Sequence, residues 1–271
     1  MYVINSFAGK AKPGKFKFEV HICEHCNLNC ASCNHFSPLA GESYLNVESY
    51  QKDCARISDL TKVELVRLMG GEPLLHPRLV EIVKISRRFF DTAHIEIVTN
   101  GILLPRQPAA FWETCKEEAV TVFISKYPVK LDLDAIDDLA KQYGVQIVYT
   151  TNIDKTNTWR KEPLDVSGAG KAKTNFMVCY KANNCIQLKD GKLFTCQQAA
   201  YINHFNDFFH TSLEITNKDY ISIYEAATID EIARFLARPI PFCRYCVLGL
   251  NHASYLGHQW AVSQRNIAEW T

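Results

Sequence analysis

The sequence predicts an α/β fold: a partial (β/α)6-type TIM barrel followed by a small C-terminal metal-binding domain. Three observations predict it. Between residues 16 and 150 short apolar runs alternate with helix-like segments, an order that implies parallel strands joined by right-handed crossovers. Only five strands are visible by residue 150, whereas a complete eight-fold barrel takes about 250 residues. From residue 151 the stretch "TTNIDKTNTWRKEPLDVSGAGKAKTN" is polar and glycine-punctuated, the texture of a connecting segment. The expected division is 1–160 for the barrel and 161–271 for the connecting segment and second domain.

In order, strands are expected at "FKFEVHI" (16–22), "VELVRLMG" (63–70), "HIEIVTN" (94–100), "AVTVFIS" (119–125) and "VQIVYT" (145–150). Helices are expected between them at 47–58, 77–90, 107–118 and 134–143, the last opened by Asp132 or Asp134 as a capping residue. Past the boundary, "CIQLKDGKLFTC" sets two short apolar strands around Asp190-Gly191, a strong hairpin signal. A helix over 228–238 then leads into "PIPFCRYC".

A chain of 271 residues can bury a substantial core. Its 30 lysines and arginines nearly cancel 29 aspartates and glutamates, so no net field would draw in nucleic acid or a membrane surface. The opening "MYVINSFAGKAKPGKFKF" has no apolar core of signal-peptide length, and no run approaches the roughly 18 apolar residues of a membrane span. A cytoplasmic protein is expected. In a reducing compartment 11 cysteines, an odd number, suit metal binding or catalysis better than disulfides.

In "HICEHCNLNCASCNHFSPLA" (21–40), Cys26, Cys30 and Cys33 are spaced C-x3-C-x2-C. A short loop with that spacing can bring three thiolates round one corner of an iron–sulfur cube. Four-iron clusters normally take four cysteines, so three leave one iron open to a substrate or cofactor. A structural zinc site is the alternative, with His21, His25 or His35 as its fourth ligand. The loop follows the first strand, at the end where β-α barrels carry catalytic groups. At the end of the second strand stand Gly70, Gly71, Glu72 and Pro73. The glycines let backbone approach a ligand closely, and the glutamate can accept hydrogen bonds from an ammonium. A plain turn into the next helix is the other reading of that motif.

Taken together, these residues resemble the radical S-adenosylmethionine superfamily over residues 16–150. The resemblance implies a [4Fe–4S] cluster on Cys26, Cys30 and Cys33 whose open iron is chelated by the amino and carboxylate groups of S-adenosylmethionine. It further implies that electron donation splits the sulfonium into methionine and a 5'-deoxyadenosyl radical, which removes hydrogen from the substrate. By the same resemblance Gly70, Gly71 and Glu72 hold the methionine amino group, and Thr99, Asn100 and Ser125 meet the cofactor's carboxylate and ribose. The family commonly has an aromatic just before the third cysteine, where this chain has Ser32; His35 or Phe36 is expected near the adenine instead. Cys23 falls outside the spacing and is expected to be a buried thiol.

Cys179, Cys196, Cys243 and Cys246 form a second group. The hairpin at Gly191 brings the flanks carrying the first two together, and C-x2-C supplies the others. Two cysteine pairs also suit a zinc ribbon. The arrangement resembles the twitch subgroup of the superfamily, a shortened form of the SPASM extension, which implies one auxiliary [4Fe–4S] cluster on these four residues. Cys185 is the substitute for Cys179 as first ligand.

An auxiliary cluster with no open iron suits the movement of one electron. The resemblance to small twitch dehydrogenases implies a small polar substrate (a sugar, cyclitol or related polyol), oxidation of a carbinol to a ketone, and a low-potential electron donor such as flavodoxin or ferredoxin. Epimerisation of a sugar carbon stays open, with Cys185 as hydrogen donor, because Cys54 and Cys115 fall in predicted helices. Peptide modification is a further alternative, disfavoured by the early start of the first strand. Arg67, Lys126, Arg160, Lys171, Lys173, His252 and His258 are candidates for holding substrate. "SGAGKAKT" is not a phosphate loop, since Asp165 stands where a glycine is required and Ala172 follows Lys171; a flexible basic loop is expected. The non-enzyme alternative is a zinc-binding interaction module, against which the open three-cysteine site argues.

Overall fold

The computed structural model describes residues 16–150, 158–159, 161–182, 184–248 and 258–271. Its first part follows the expected rhythm: β1 (Phe16–Cys23), α1 (Val47–Leu60), β2 (Val63–Gly70), α2 (Leu79–Phe89), β3 (His94–Thr99), α3 (Ala109–Glu117), β4 (Val120–Ile124), α4 (Leu133–Tyr143) and β5 (Gln146–Tyr149). Each of these strands pairs in parallel with the next. Asp132 rather than Asp134 caps α4, its side chain accepting from Ala135 N at 3.2 Å.

The later elements are β6 (Thr158–Trp159), α5 (Ala172–Val178), β7 (Gln187–Lys189), β8 (Lys192–Phe194), α6 (Gln197–Phe209), β9 (Tyr220–Ser222), α7 (Ile229–Leu236) and β10 (His258–Gln259). The hairpin β7–β8 forms at Asp190-Gly191 as expected, and both turn residues have positive φ. Its place in the sheet is not where a continued barrel would put it. The eight-stranded sheet runs β5-β4-β3-β2-β1-β7-β8-β9, so the sixth parallel strand docks beside β1 instead of beyond β5. The barrel is partial and open, and the sheet crosses the expected boundary near residue 160 without a break. No helix among the described residues is long and apolar enough to cross a membrane.

Alternation along the strands divides the sheet into two faces. Phe18, Val20 and Ile22 of β1, Val66 and Leu68 of β2, and Ile95 and Ile97 of β3 are buried with Tyr50, Ile57, Ile82 and Ile85 of the covering helices in one core. The intervening residues face the hollow of the open barrel. One register row on that side is polar throughout, passing from Gln187 through Glu19, Arg67, Glu96 and Thr121 to Gln146. Arg67 links Glu19 (3.1 Å) and Glu96 (2.6 Å), and Gln187 donates to Glu19 at 2.6 Å. A polar belt therefore floors the barrel.

Candidate active site and metal centres

The loop after β1 turns Cys26, Cys30 and Cys33 into one cleft of about 630 Å³ at the C-terminal ends of the strands. Gly70, Gly71, Thr99, Asn100 and Ser125 line the same cleft, as do His35, Ser37, Met69 and Tyr127. The two glycines are there for the chain itself. A Cβ on Gly70, whose φ is +134°, would stand 2.2 Å from the Cys23 carbonyl oxygen, and one on Gly71 would stand 2.0 Å from that of His25. Gly71 N donates to Cys23 O at 2.7 Å and Glu72 N to His25 O at 3.0 Å. The close approach pins the start of the cysteine loop to the end of β2.

Glu72 is fully buried behind Thr99 and Asn100 of the cleft wall and does not itself line the cleft. It accepts from Thr99 Oγ1 at 2.6 Å, Leu74 N at 3.0 Å and Asn100 N at 3.0 Å, joining the ends of β2 and β3. Burial nonetheless outweighs these three donors and raises its carboxyl from 4.5 to about 7. Between those values the folded chain keeps a proton that the unfolded chain has released. The stabilising contribution is full below pH 4.5 and is lost as pH rises through 7, a span of about 3 kcal/mol. Metal-free protein is expected to lose stability across this window relative to a Glu72→Gln variant. Urea unfolding at several pH values checks it, and parallel pH slopes for the two proteins would refute it. His21 and His35 are buried with lowered pKa values and act in the opposite sense, but they are common to both proteins.

Phe36 is a correction. Its backbone is left-handed (φ 57°), its ring is fully buried, and it packs against Phe205 at 5.8 Å without reaching the cleft. His35 does reach it, held by a 2.6 Å hydrogen bond to His21 Nε2. Cys23 is a buried thiol, as are Cys54 and Cys115 in α1 and α3.

Sequence reasoning missed what holds the loop from the other side. Residues 258–271 lie against it as a strap. Trp260 Nε1 donates to Cys30 Sγ at 3.1 Å, and Trp270 Nε1 to the Cys33 carbonyl at 2.8 Å. Ala31 N donates to Ala261 O at 2.9 Å, Ser263 N to Asn29 O at 2.6 Å, and Ser32 Oγ to Glu269 O at 2.6 Å. Tyr127, just past β4, was missed as well; burial and the three nearby thiols hold its phenol well above the ordinary range.

The second group lines a separate small cavity, around which stand Cys179, Cys196, Cys243 and Cys246. Cys196 is the N-cap of α6, so the helix N-terminus faces its sulfur. Cys185 does not line this cavity. Asn184 N and Cys185 N both bond back to Lys181 O, a turn after which the Cys185 thiol is buried between the polar belt and the second cysteine group, near Glu19, Lys181, Cys196 and Arg67. Lys181 and Glu162 form a buried ion pair at the cavity wall, and Asn34, next to Cys33, donates to Glu162 Oε2 at 3.3 Å. That pair links the two cysteine sites.

The substrate candidates scatter. Arg67 is in the polar belt, Lys126 lies over the Tyr149 ring at 5.0 Å, and Lys171 precedes α5 at its N-cap. Lys173 and His258 are exposed, while Arg160 and His252 lie outside the described residues. The segment read as a flexible basic loop is instead a turn closed by Asp165, with Gly170 N bonded to Arg244 O at 3.1 Å.

Residues 20–125 match the profile of the radical SAM superfamily. The match runs from β1 through β4 and includes both the cysteine loop and the Gly70–Glu72 turn. The chain is 34% identical over 94 residues to the GTP 3',8-cyclase of Chlorobaculum tepidum, covering 35% of this chain and 28% of that protein. It is 39% identical over 93 residues to a probable GTP 3',8-cyclase of Methanothermobacter thermautotrophicus, covering 34% of this chain and 30% of that protein. The match thus spans less than a third of the length of these curated relatives. The crystal structure of BtrN in complex with AdoMet and 2-DOIA aligns with a TM-score of 0.54 at 16% identity, over 85% of this chain and 92% of that one, which shows a shared fold. Radical SAM proteins work with a [4Fe–4S] cluster and S-adenosylmethionine, and these are the cofactors of the segment.

Proposed function

We propose that this protein is a radical SAM dehydrogenase of the twitch kind, oxidising a carbinol of a small sugar, cyclitol or related polyol to a ketone. The observation that carries the reading is the pair of separate cysteine-lined cavities, one with three thiols opening into a cleft and one ringed by four. Cys26, Cys30 and Cys33 would hold the radical SAM cluster, and Cys179, Cys196, Cys243 and Cys246 an auxiliary [4Fe–4S] cluster. Iron analysis distinguishes such a cluster from a zinc ion on the same four thiols. With its cofactors bound, the site supplies removal of a hydrogen atom from carbon.

The chain's own groups do the rest. Gly70 and Gly71 present backbone to the cleft, and Thr99, Asn100 and Ser125 present polar side chains. Ser37, buried in the cleft wall, has a hydroxyl without a partner among the described residues, so it is available to S-adenosylmethionine. Burial raises the thiols of both groups, that of Cys30 to about 12, so ligation releases protons.

The polar belt supports a polyol substrate. Arg67 and Glu96 lie two residues before Met69 and Val98 of the cleft wall, or about 7 Å below it. The belt offers one guanidinium against the carboxylates of Glu19 and Glu96, a balance suited to hydroxyls and amines more than to a triphosphate. A second reading, epimerisation, is favoured by Cys185, which lies at this belt with its thiol raised to about 12 and therefore protonated. A reducing cytoplasm and a flavodoxin- or ferredoxin-type donor complete the proposal.

The test is substrate-dependent 5'-deoxyadenosine formation across a panel of sugars, aminocyclitols and GTP, using anaerobically reconstituted protein. One substrate is expected to give equal amounts of 5'-deoxyadenosine and ketone, with deuterium from a labelled carbinol carbon recovered in 5'-deoxyadenosine. Turnover of GTP alone refutes the proposal, and solvent hydrogen returned to the product carbon selects epimerisation.

A further inference from the structure

Polar side chains furnish the four-thiol cavity, and nearly all of them have their hydrogen bonds committed. Lys181 is paired with Glu162. Asn175 Nδ2 donates to the carbonyls of Cys243 and Cys246 at 2.8 and 2.6 Å. Gln198 Nε2 donates to the Glu162 carbonyl at 3.0 Å. Thr195 is the exception. It lines the cavity, is only 2% exposed, and its Oγ1 has no hydrogen-bond partner among the described residues. A buried hydroxyl left unpaired is costly, and in a native protein such a group calls for a ligand or a role. What the cavity offers it is sulfur.

Backbone geometry holds the hydroxyl in place. Thr195 sits between β8, whose Phe194 pairs with both Gln187 and Tyr220, and α6, which starts after Cys196. With both flanks tied into regular structure, the side chain is positioned before any metal arrives.

We infer that Thr195 donates an O–H···S hydrogen bond to the metal–sulfur group held by Cys179, Cys196, Cys243 and Cys246, and so raises its reduction potential. This rests on the proposal that the cavity holds an iron–sulfur cluster. Adding an electron increases the negative charge on sulfur, so a fixed donor stabilises the reduced form more than the oxidised one. The Lys181 ammonium is balanced by Glu162, which leaves the hydroxyl as the uncommitted donor. A raised potential makes the site a better electron acceptor, as a dehydrogenase requires.

The test uses the full chain carrying Cys26→Ala, Cys30→Ala and Cys33→Ala, in which only the second site can load. Iron and sulfide are counted first: about four irons per chain are expected, and zinc or no metal ends both this inference and the proposal beneath it. A redox titration followed by electron paramagnetic resonance then compares Thr195→Val and Thr195→Ser with that parent. The valine variant is expected to keep its iron and to accept an electron about tenfold less readily, a fall of about 59 mV for a one-electron couple. The serine variant, which keeps the hydroxyl, should match the parent. An unchanged potential in the valine variant, or an equal fall in the serine variant, overturns the inference while leaving the cluster assignment intact. Should the valine variant fail to load, Thr195→Ala, which only vacates space, takes its place with the same criteria.

Discussion

Replacing Cys26, Cys30 and Cys33 together by alanine is expected to lower iron from about eight per chain to about four, and to abolish 5'-deoxyadenosine formation. The expectation follows from the separation of the two cavities, whose lining residues do not overlap. Each thiol set also sits on its own frame: one between the ends of β1, β2 and β3, the other between the hairpin, α5, α6 and the C-x2-C turn. Conversely, Cys243→Ala with Cys246→Ala should keep about four irons and still cleave S-adenosylmethionine, yet yield no ketone. Iron and labile sulfide analysis decides the first point, and product analysis the second. Loss of all iron in the triple variant would overturn the second cluster and the dehydrogenase reading that depends on it. Zinc at the second site would remove the electron acceptor and the dehydrogenase reading with it.

Trp270→Ala should cost about 3–5 kcal/mol, the usual range for deleting a buried tryptophan side chain. Trp270 is fully buried, packs on Phe209 at 5.8 Å, and donates to the Cys33 carbonyl at 2.8 Å, while its own carbonyl accepts from Leu164 N at 2.7 Å. Its removal takes away one wall of the cysteine loop as well as a piece of core. Iron at the first site should therefore fall further than iron at the second. Urea unfolding combined with iron analysis in the background of each cysteine variant separates the effects. A large stability loss with first-site iron intact would show that the loop keeps its shape without the strap.

Much of this architecture is legible from residue order. β1 to β5 follow from short apolar runs, because a strand covered by helices buries one face whatever happens elsewhere, and their observed limits differ from the expected ones by one residue at most. The C-x3-C-x2-C spacing is equally local: three thiols in one short loop converge for geometric reasons, and the structure brings them to one cleft. Non-local choices are not legible. Nothing in "IQLK" states that β7 will pair with β1, since any free parallel edge could accept it. α6 escaped notice because Gln197, Gln198 and Asn203 interrupt its apolar face, although both glutamines are buried. Spacing could not choose between Cys179 and Cys185; the turn at Lys181 separates them, and of the two Cys179 lines the four-thiol cavity. Glu72 has a second role for a related reason: a carboxylate at a strand end reads as a ligand group, and here it also satisfies the backbone of its neighbours. Trp260 and Trp270 carry no motif at all.

The strap has a consequence in time as well as space. The cysteine loop leaves the ribosome early, but Glu269 and Trp270, which fix Ser32 and Cys33, follow 237 residues later. At roughly 5–20 residues per second, the loop waits on the order of ten seconds or more for the partners that define it. Until then its thiols are exposed to any metal or oxidant in the surroundings. Faithful loading of the first site is therefore tied to completion of the fold, and delivery of iron and sulfide during synthesis would meet a loop that has not yet taken its shape.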